Sequence, residues 1–289
     1  MCRLFGLSAA PHRVHATFWL LEASDSLARQ SRREPDGTGL GTFTVGDEPL
    51  VEKQPVAAYE DRAFATEAKE RSSRTFLAHI RYASTGGLAP RNTHPFEQNG
   101  RLFAHNGVLG DLDRLDAELG PYRDLVQGET DSERFFALVT RRIDEHGGDV
   151  TAGLTAAAEW AAENLRIFAL NVILTTATEL WALRYPDTHE LWVLERPSGG
   201  TQGGRHLDHA SATGTVRVRS GLLAQYPAVV VASEKMDEDP RWSAMKSGEL
   251  LHVDDQLRST RSVVLDAPPA HRIALDELDE QASASQRGK

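Results

Sequence analysis

The stretch MCRLFGL, residues 1–7, places the only cysteine of the 289-residue chain at position 2. Its apolar run ends near Pro11, which predicts a buried strand that begins almost at the terminus. Removal of Met1 is expected because cysteine is small, and Cys2 would then carry both a thiol and a free α-amine. Since the amine titrates near ~7.7 to 8.0 and the thiol near ~8.5, the amine can accept the thiol proton at neutral pH. A lone cysteine is more often a small buried hydrophobe, but at this position we expect a nucleophile.

Composition excludes two classes of protein. Asp and Glu number 42 against 32 Lys and Arg, and the resulting charge of −10 repels the phosphates of nucleic acid. The longest apolar runs, LNVIL and AVVVA, fall far short of the about 18 residues that a membrane helix needs. Because a single cysteine cannot form an intramolecular disulfide, we predict a cytoplasmic protein that binds neither nucleic acid nor membrane.

The predicted elements run in the order strands, helices, strands. Residues 15–30 have roughly helical spacing, Thr130 begins a capping-box pattern before one amphipathic helix, and TAGLTAAAEWAAENL predicts another. Strands are predicted at CRLFGLSA, GLGTFTV, TFLAHIRYAS, RLFAHNGVL, IFALNVILTT, ELWALRY, ELWVLERP, AVVVASE and GELLHV. We expect one domain over residues 2–276, with a flexible loop at about 197–214 and a disordered tail at 277–289.

The motif AHNG offers donors for the oxyanion that a nucleophile creates. The side-chain amide of Asn106 and the backbone N–H of Gly107 stand side by side in this motif. An Asn-Gly pair is also the strongest short signal for a hairpin turn, and the two interpretations are compatible.

Two charged residues are candidates for substrate binding. Arg81, in HIRYASTGG, stands at the end of a predicted strand, where its guanidinium could bind a carboxylate through paired hydrogen bonds. Taken alone, it is more often a surface residue. Asp131, in GETDSE, stands at a helix start, where the plain alternative is a helix cap made by Asp131 or Thr130.

Six motifs resemble, in the same order, those of the class II glutamine amidotransferase family of N-terminal nucleophile hydrolases: MCRLFGL, PDGTGLG, HIRYASTGG, NTHPF, AHNG and GETDSE. The later strands look most like those of the compact stand-alone members, the YafJ-like branch, so the resemblance covers nearly the whole chain. It implies an α+β fold, a four-layer αββα sandwich. Two packed antiparallel sheets are then flanked by helices, with the nucleophile on the first strand.

The resemblance also assigns catalytic roles. Cys2 matches the residue that attacks the side-chain amide of glutamine and forms a γ-glutamyl thioester, releasing ammonia before water yields glutamate. Asn106 and Gly107 match the residues that stabilise the tetrahedral oxyanion.

Binding roles follow from the same resemblance. Arg81 matches the family's binder of the substrate α-carboxylate, and Asp131 matches its binder of the α-ammonium. Ser84 and Thr85 follow in the substrate loop and are expected to line the pocket, although Thr85 stands where some members have histidine. A fixed cation and a fixed anion suit glutamine because it is a zwitterion.

No cofactor or metal is predicted. GTGLG lacks the lysine and the spacing of a phosphate-binding loop, and the pairs His12 with His15 and His206 with His209 lack further ligands, so solvated loop histidines explain them better. His94, in NTHPF, is interpreted as a packing or loop-fixing residue rather than a proton shuttle.

Three functions remain open at the level of sequence. The first is a glutaminase reaction that delivers ammonia to a separate protein partner. The second is hydrolysis of another γ-glutamyl amide, as in the ergothioneine-pathway relatives that also begin Met-Cys-Arg. The third is a ligand sensor without chemistry, which the joint presence of Cys2 and Asn106 argues against.

Overall fold

The computed structural model describes residues 2–82, 86–199, 225–280 and 282–283, together with the backbone of 208–210 and 217–219. Most of the loop predicted at 197–214 lies outside the described residues, as do Ser84 and Thr85.

The strands are β1 (Arg3–Ser8), β2 (Gly37–Phe43), β3 (Pro49–Gln54), β4 (Thr75–Arg81), β5 (Phe96–Gln98), β6 (Arg101–Leu109), β7 (Arg166–Thr175), β8 (Leu180–Arg184), β9 (Trp192–Arg196), β10 (Asp208–Ala210), β11 (Arg217–Arg219), β12 (Ala228–Ala232), β13 (Ser243–Ala244), β14 (Glu249–Val253), β15 (Ser259–Val263) and β16 (His271–Arg272). The helices are α1 (Leu27–Gln30), α2 (Arg62–Glu70), α3 (Leu112–Leu119), α4 (Asp131–Glu145) and α5 (Val150–Asn164). Shorter π and 3₁₀ turns occupy Phe18–Glu22, Pro90–Asn92, Gly120–Leu125 and Leu275–Glu277.

Two large sheets form the centre of the fold. The first has the strand order β13-β9-β12-β1-β4-β2-β3, so β1 lies in its interior between β12 and β4. The second has the order β15-β14-β8-β7-β6-β5, and β16 adds a short parallel pairing to β7. All the other pairings in the two sheets are antiparallel.

Three apolar clusters show how the layers are stacked. One joins the first sheet to α1, α2 and the turn at Phe18–Glu22, and a second joins the other sheet to α3, α4 and α5. The third lies between the sheets and contains Leu4, Leu77, Leu102 and Ile173. Helix layer, sheet, sheet and helix layer therefore follow one another, and the predicted αββα sandwich is confirmed. None of the helices in the described part of the chain has the length and apolar character needed to cross a bilayer.

The structure differs from the sequence prediction mainly in the first helical layer. Residues 15–30 do not form one helix but a π-helical turn at Phe18–Glu22 and the single turn of α1, separated by a bend. Three hydrophobic residues of the π-helical turn are buried against the sheet. Tertiary packing therefore determines the backbone geometry of this turn in place of regular helical periodicity. The edge strand β3 and the helices α2 and α3, each of nine residues or fewer, were also not predicted, because elements this short show too few repeats of an apolar pattern.

Glycines set how closely the backbones approach around β2. A Cβ on Gly39 would lie 1.8 Å from the backbone oxygen of His94, so only glycine allows β2 to contact the segment that precedes β5. By contrast, a Cβ on Gly46, in the turn after β2, would meet only the Thr44 hydroxyl, at 3.7 Å.

We predict that Gly39→Ala destabilises the fold while Gly46→Ala does not. The added methyl of Gly39→Ala must displace backbone, and overpacking of this kind typically costs about 1–3 kcal/mol or more. Gly46→Ala, with open space and no positive φ, should be neutral or stabilising by up to about 1 kcal/mol. Urea unfolding of both variants measures the difference, and equal stabilities would contradict this account of the contact between β2 and His94.

Candidate active site

Cys2 lies at the start of β1, beside the end of β4. Because the two strands are antiparallel and Arg3 stands opposite Ile80, the residues that follow β4 pass directly next to Cys2. The Cys2 Sγ lies 3.2 Å from the backbone nitrogen of Tyr82, which donates to it, and 3.4 Å from the Tyr82 carbonyl oxygen. Only 8% of Cys2 is exposed. The predicted nucleophile is thus buried beside the residues that follow β4.

The environment of Cys2 disfavours the free thiolate. Burial raises the pKa of the thiol, and the negative charge of Glu34 raises it further, while the Tyr82 N–H and Arg81 act in the opposite direction. A thiol with a raised pKa is mostly protonated at neutral pH. Attack by this sulfur therefore requires a base that removes the proton during the reaction.

Asn106 reaches Cys2 from the opposite sheet. Its side chain is fully buried on β6, and its Nδ2 donates to the Cys2 carbonyl oxygen at 2.9 Å. Gly107 follows on the same strand, and a Cβ there would lie 1.8 Å from the Ala169 carbonyl oxygen. Only glycine fits at position 107. The Asn-Gly pair lies within a continuous strand, so the alternative interpretation as a hairpin turn is wrong.

Arg81 is the last residue of β4 and is buried, with 3% exposure, so its interpretation as a surface residue is wrong. Its guanidinium donates to the carbonyl oxygens of Gly86 and Gly87, each at 3.1 Å. Burial lowers its pKa, and the charges of Asp36 and Asp131 oppose that change. Arg81 thus anchors the far end of the segment that contains residues 83–85, in which Ser84 and Thr85 stand.

Asp131 is the first residue of α4 and is 2% exposed. The helix cap is Thr130, whose hydroxyl accepts from the Glu133 N–H at 3.2 Å. Asp131 instead accepts from the Leu109 N–H at 2.9 Å, which ties α4 to the end of β6. The Ser132 hydroxyl lies 3.4 Å from the second Asp131 oxygen and 2.9 Å from His105 Nδ1. These contacts hold the Asp131 carboxylate at Leu109, two residues after Gly107 on β6.

The structure therefore gathers five of the predicted residues: Cys2, Arg81, Asn106, Gly107 and Asp131. Cys2 and Arg81 come from neighbouring strands of one sheet, and the other three come from β6 and the helix attached to its end. The positions of Ser84 and Thr85 relative to this group lie outside the described residues.

A polar clasp that the sequence did not reveal joins the Arg81 side of the site to the Asp131 side. The Glu129 carboxylate accepts from the Gly87 N–H at 3.2 Å and from Asn92 Nδ2 at 2.9 Å. In return, Asn92 Oδ1 accepts from the Glu129 N–H at 2.9 Å. Asn92 and Glu129 belong to the motifs NTHPF and GETDSE, but nothing in either motif predicts that the two side chains pair.

His12, His15 and His94 are in packing or loop positions, whereas His206 and the side chain of His209 lie outside the described residues. His94 packs against His79 with the rings tilted by 43° and 4.2 Å between their centroids, and burial lowers the pKa of His94 well below the usual value, as expected for a neutral packed ring. His12 stacks on Tyr226, and His15 Nδ1 lies 3.0 Å from the Arg71 carbonyl oxygen. In the part of the chain that the structure describes, no group of three or more His, Cys, Asp and Glu side chains is arranged to hold a metal.

Several known proteins are similar to this chain. The E. coli protein YafJ and the Saccharomyces cerevisiae protein DUG3, whose names describe them as glutamine amidotransferases, are 28% and 30% identical to it. The first match covers 86% of this chain and 96% of YafJ, but the second covers 44% of this chain and only 40% of the yeast protein. The gamma-glutamyl-hercynylcysteine sulfoxide hydrolase of Mycolicibacterium smegmatis is 28% identical, with 76% of this chain and 78% of that protein covered.

Solved structures agree with the fold. The glutamine PRPP amidotransferase of B. subtilis superimposes with a TM-score of 0.63 at 18% identity, covering 92% of this chain and 50% of that one. The present chain thus spans about half the length of that enzyme. The family model for class II glutamine amidotransferases matches residues 1–271. With this match, the sandwich fold and the contact of Cys2 with Asn106 across the two sheets, the chain belongs to the class II glutamine amidotransferases.

Proposed function

We propose that the protein hydrolyses the side-chain amide of glutamine through a γ-glutamyl thioester on Cys2. The observation that carries the proposal is the contact of Asn106 Nδ2 with the Cys2 carbonyl oxygen, 2.9 Å across the two sheets. This contact places an amide donor beside the residue that bears the nucleophile. A substrate carbonyl bound at the thiol would lie within reach of the same donor.

In the first half-reaction, the α-amine of Cys2 takes the thiol proton as sulfur bonds to the amide carbon. The carbonyl electrons move to oxygen, and the oxyanion accepts hydrogen bonds from Asn106 Nδ2 and the Gly107 N–H. When the tetrahedral intermediate collapses, the C–N bond breaks and the ammonium of Cys2 gives its proton to the departing amide nitrogen, which leaves as ammonia. Water then attacks the thioester and releases glutamate with regeneration of the thiol.

Recognition of the substrate uses its two charges. The Arg81 guanidinium binds the α-carboxylate and the Asp131 carboxylate binds the α-ammonium, with Ser84 and Thr85 lining the same pocket. Both charges are buried, and a buried charge interacts more strongly with a substrate than one in water does. The clasp between Asn92 and Glu129 keeps the two halves of this pocket at a fixed separation.

We further propose that the released ammonia passes to another protein. The relatives YafJ and DUG3 are named as amidotransferases, which favours transfer of the nitrogen to an acceptor on a partner protein. Capture of a protein by enzyme trapped at Cys2 would support this step, whereas unpartnered enzyme in every such capture would argue for simple hydrolysis.

A second candidate is hydrolysis of a different γ-glutamyl amide. The similarity to the mycobacterial sulfoxide hydrolase extends over most of both chains, which favours this possibility. The two candidates share the acyl half of the reaction and differ only in what leaves with the nitrogen. The residues proposed to bind the glutamyl part serve both equally.

The test is a panel of γ-glutamyl amides given to the wild-type protein and to Cys2→Ala. We expect wild type to release glutamate from at least one member and Cys2→Ala to release none. Glutamine as the best substrate by kcat/KM supports the first candidate, and a larger γ-glutamyl amide as the best substrate supports the second. Turnover that survives in Cys2→Ala would contradict the proposed nucleophile.

A second prediction concerns the oxyanion donor. Asn106→Ala should lower kcat by about 10²- to 10³-fold, because the loss of one such donor removes about 2.7–4 kcal/mol of transition-state stabilisation. Asn164→Ala, at the end of α5, is the matched control and should keep wild-type kcat. Both variants are compared by steady-state kinetics after thermal unfolding has shown that they fold. A kcat for Asn106→Ala within threefold of wild type would exclude the role.

A further inference from the structure

A cluster of charged side chains centred on Arg3 lies beside the backbone of Cys2. Arg3, 2% exposed, donates from NH1 to the Cys2 carbonyl oxygen at 3.3 Å. The same NH1 lies 3.8 Å from Glu34 Oε1, and NH2 lies 2.7 Å from Glu234 Oε1. One guanidinium nitrogen therefore links the backbone of Cys2 to the Glu34 carboxylate.

Glu34 is the more buried of the two carboxylates that face Arg3. It is 5% exposed, whereas the Glu234 side chain is 39% exposed and also pairs with Arg33 at 3.2 Å. A buried carboxylate is costly unless cations and hydrogen bonds compensate it. The 3.8 Å contact with Arg3 is an ion pair rather than a hydrogen bond, and burial raises the pKa of Glu34 while the charges of Arg3 and Arg33 oppose that change.

Once Met1 is removed, the backbone nitrogen of Cys2 becomes a cationic α-amine, in the residue whose carbonyl oxygen is linked to Glu34 through Arg3. The amine nitrogen is joined to its own carbonyl through a single Cα, so it lies within a few ångströms of the oxygen that Arg3 binds. The charge of Glu34 also raises the pKa of the Cys2 thiol, so the carboxylate acts on this residue as well as on Arg3.

We propose that Glu34 binds the α-amine of Cys2 once Met1 has been removed, and that it orients this amine toward the thiol. The inference rests on the proposed role of the amine as the base. The Cys2 sulfur is then the nucleophile, its α-amine is the base, and Glu34 is the group that orients the base. Activated nucleophiles generally use this arrangement. Glu34 takes no proton in this scheme. It stabilises the ammonium that exists between proton removal from sulfur and proton transfer to the leaving amide nitrogen.

Arg3 positions Glu34 in this arrangement. By binding the Cys2 carbonyl and lying against the carboxylate, it keeps the loop before β2 in register with the terminus of β1. Glu234, which is more exposed, neutralises the rest of the Arg3 charge. The charged groups that face the amine from the surrounding elements are Arg3, Arg33, Glu34, Asp36, Arg81 and Glu234.

The single cysteine permits a direct test that does not depend on activity. Protein grown with [¹³C,¹⁵N]cysteine carries one labelled residue, and intact mass confirms that Met1 is absent. The pH dependence of the Cys2 α-nitrogen shift gives the pKa of the amine. Removal of an adjacent anion destabilises the ammonium form, so Glu34→Gln should lower this pKa by roughly 1–3 units. The acid limb of kcat/KM should move to lower pH by the same amount, and kcat should fall.

Glu234→Gln is the control, because it removes a carboxylate from the same Arg3 but not the one proposed to hold the amine. It should move the amine pKa far less than Glu34→Gln does, and Glu34→Asp should restore part of the wild-type value. Equal shifts for the two glutamine variants, or none for Glu34→Gln in folded protein, would overturn the inference. Failure of the proposed function is seen separately, as wild-type protein that lacks Met1 yet cleaves no γ-glutamyl amide.

Discussion

One constraint underlies the site: Cys2, the residue that precedes β1, must meet β6 across the gap between the two sheets. The hydrogen bond from Asn106 Nδ2 to the Cys2 carbonyl oxygen joins residues 104 positions apart. It exists because β1 is an interior strand of its sheet and because Leu4, Leu77, Leu102 and Ile173 fix the sheet spacing just beyond it. Packing of an ordinary apolar core therefore determines the geometry of the chemistry.

Burial then shapes the reactivity of the cysteine. A thiol with 8% exposure and a raised pKa stays protonated at neutral pH. It becomes nucleophilic only when a base removes its proton. Two groups of charged residues lie around Cys2. Arg81 and Asp131 are the residues proposed to bind a substrate, while Arg3 contacts the Cys2 carbonyl oxygen and pairs with Glu34 and Glu234.

Much of this arrangement could be predicted from the sequence. Short motifs, with residue types suited to the proposed chemistry, contain Cys2, Arg81, Asn106, Gly107 and Asp131. Nine strands with strong apolar patterns were also predicted close to their observed positions. The contacts that join distant segments could not be predicted, because no local pattern encodes the pairing of Asn92 with Glu129 or of Arg3 with Glu34. The π-helical turn at Phe18–Glu22 was missed for a related reason, since tertiary burial overrides local periodicity there.

The most direct test of the central claim is the intact mass of the protein after reaction with a diazoketone analogue of glutamine. The account predicts a chain that lacks Met1 and carries one adduct, with the adduct absent from Cys2→Ala. Excess glutamine should slow the labelling, because both molecules require the same pocket. A processed protein that takes no label, or an adduct that persists in Cys2→Ala, would contradict the claim that Cys2 is the nucleophile of a glutamine site.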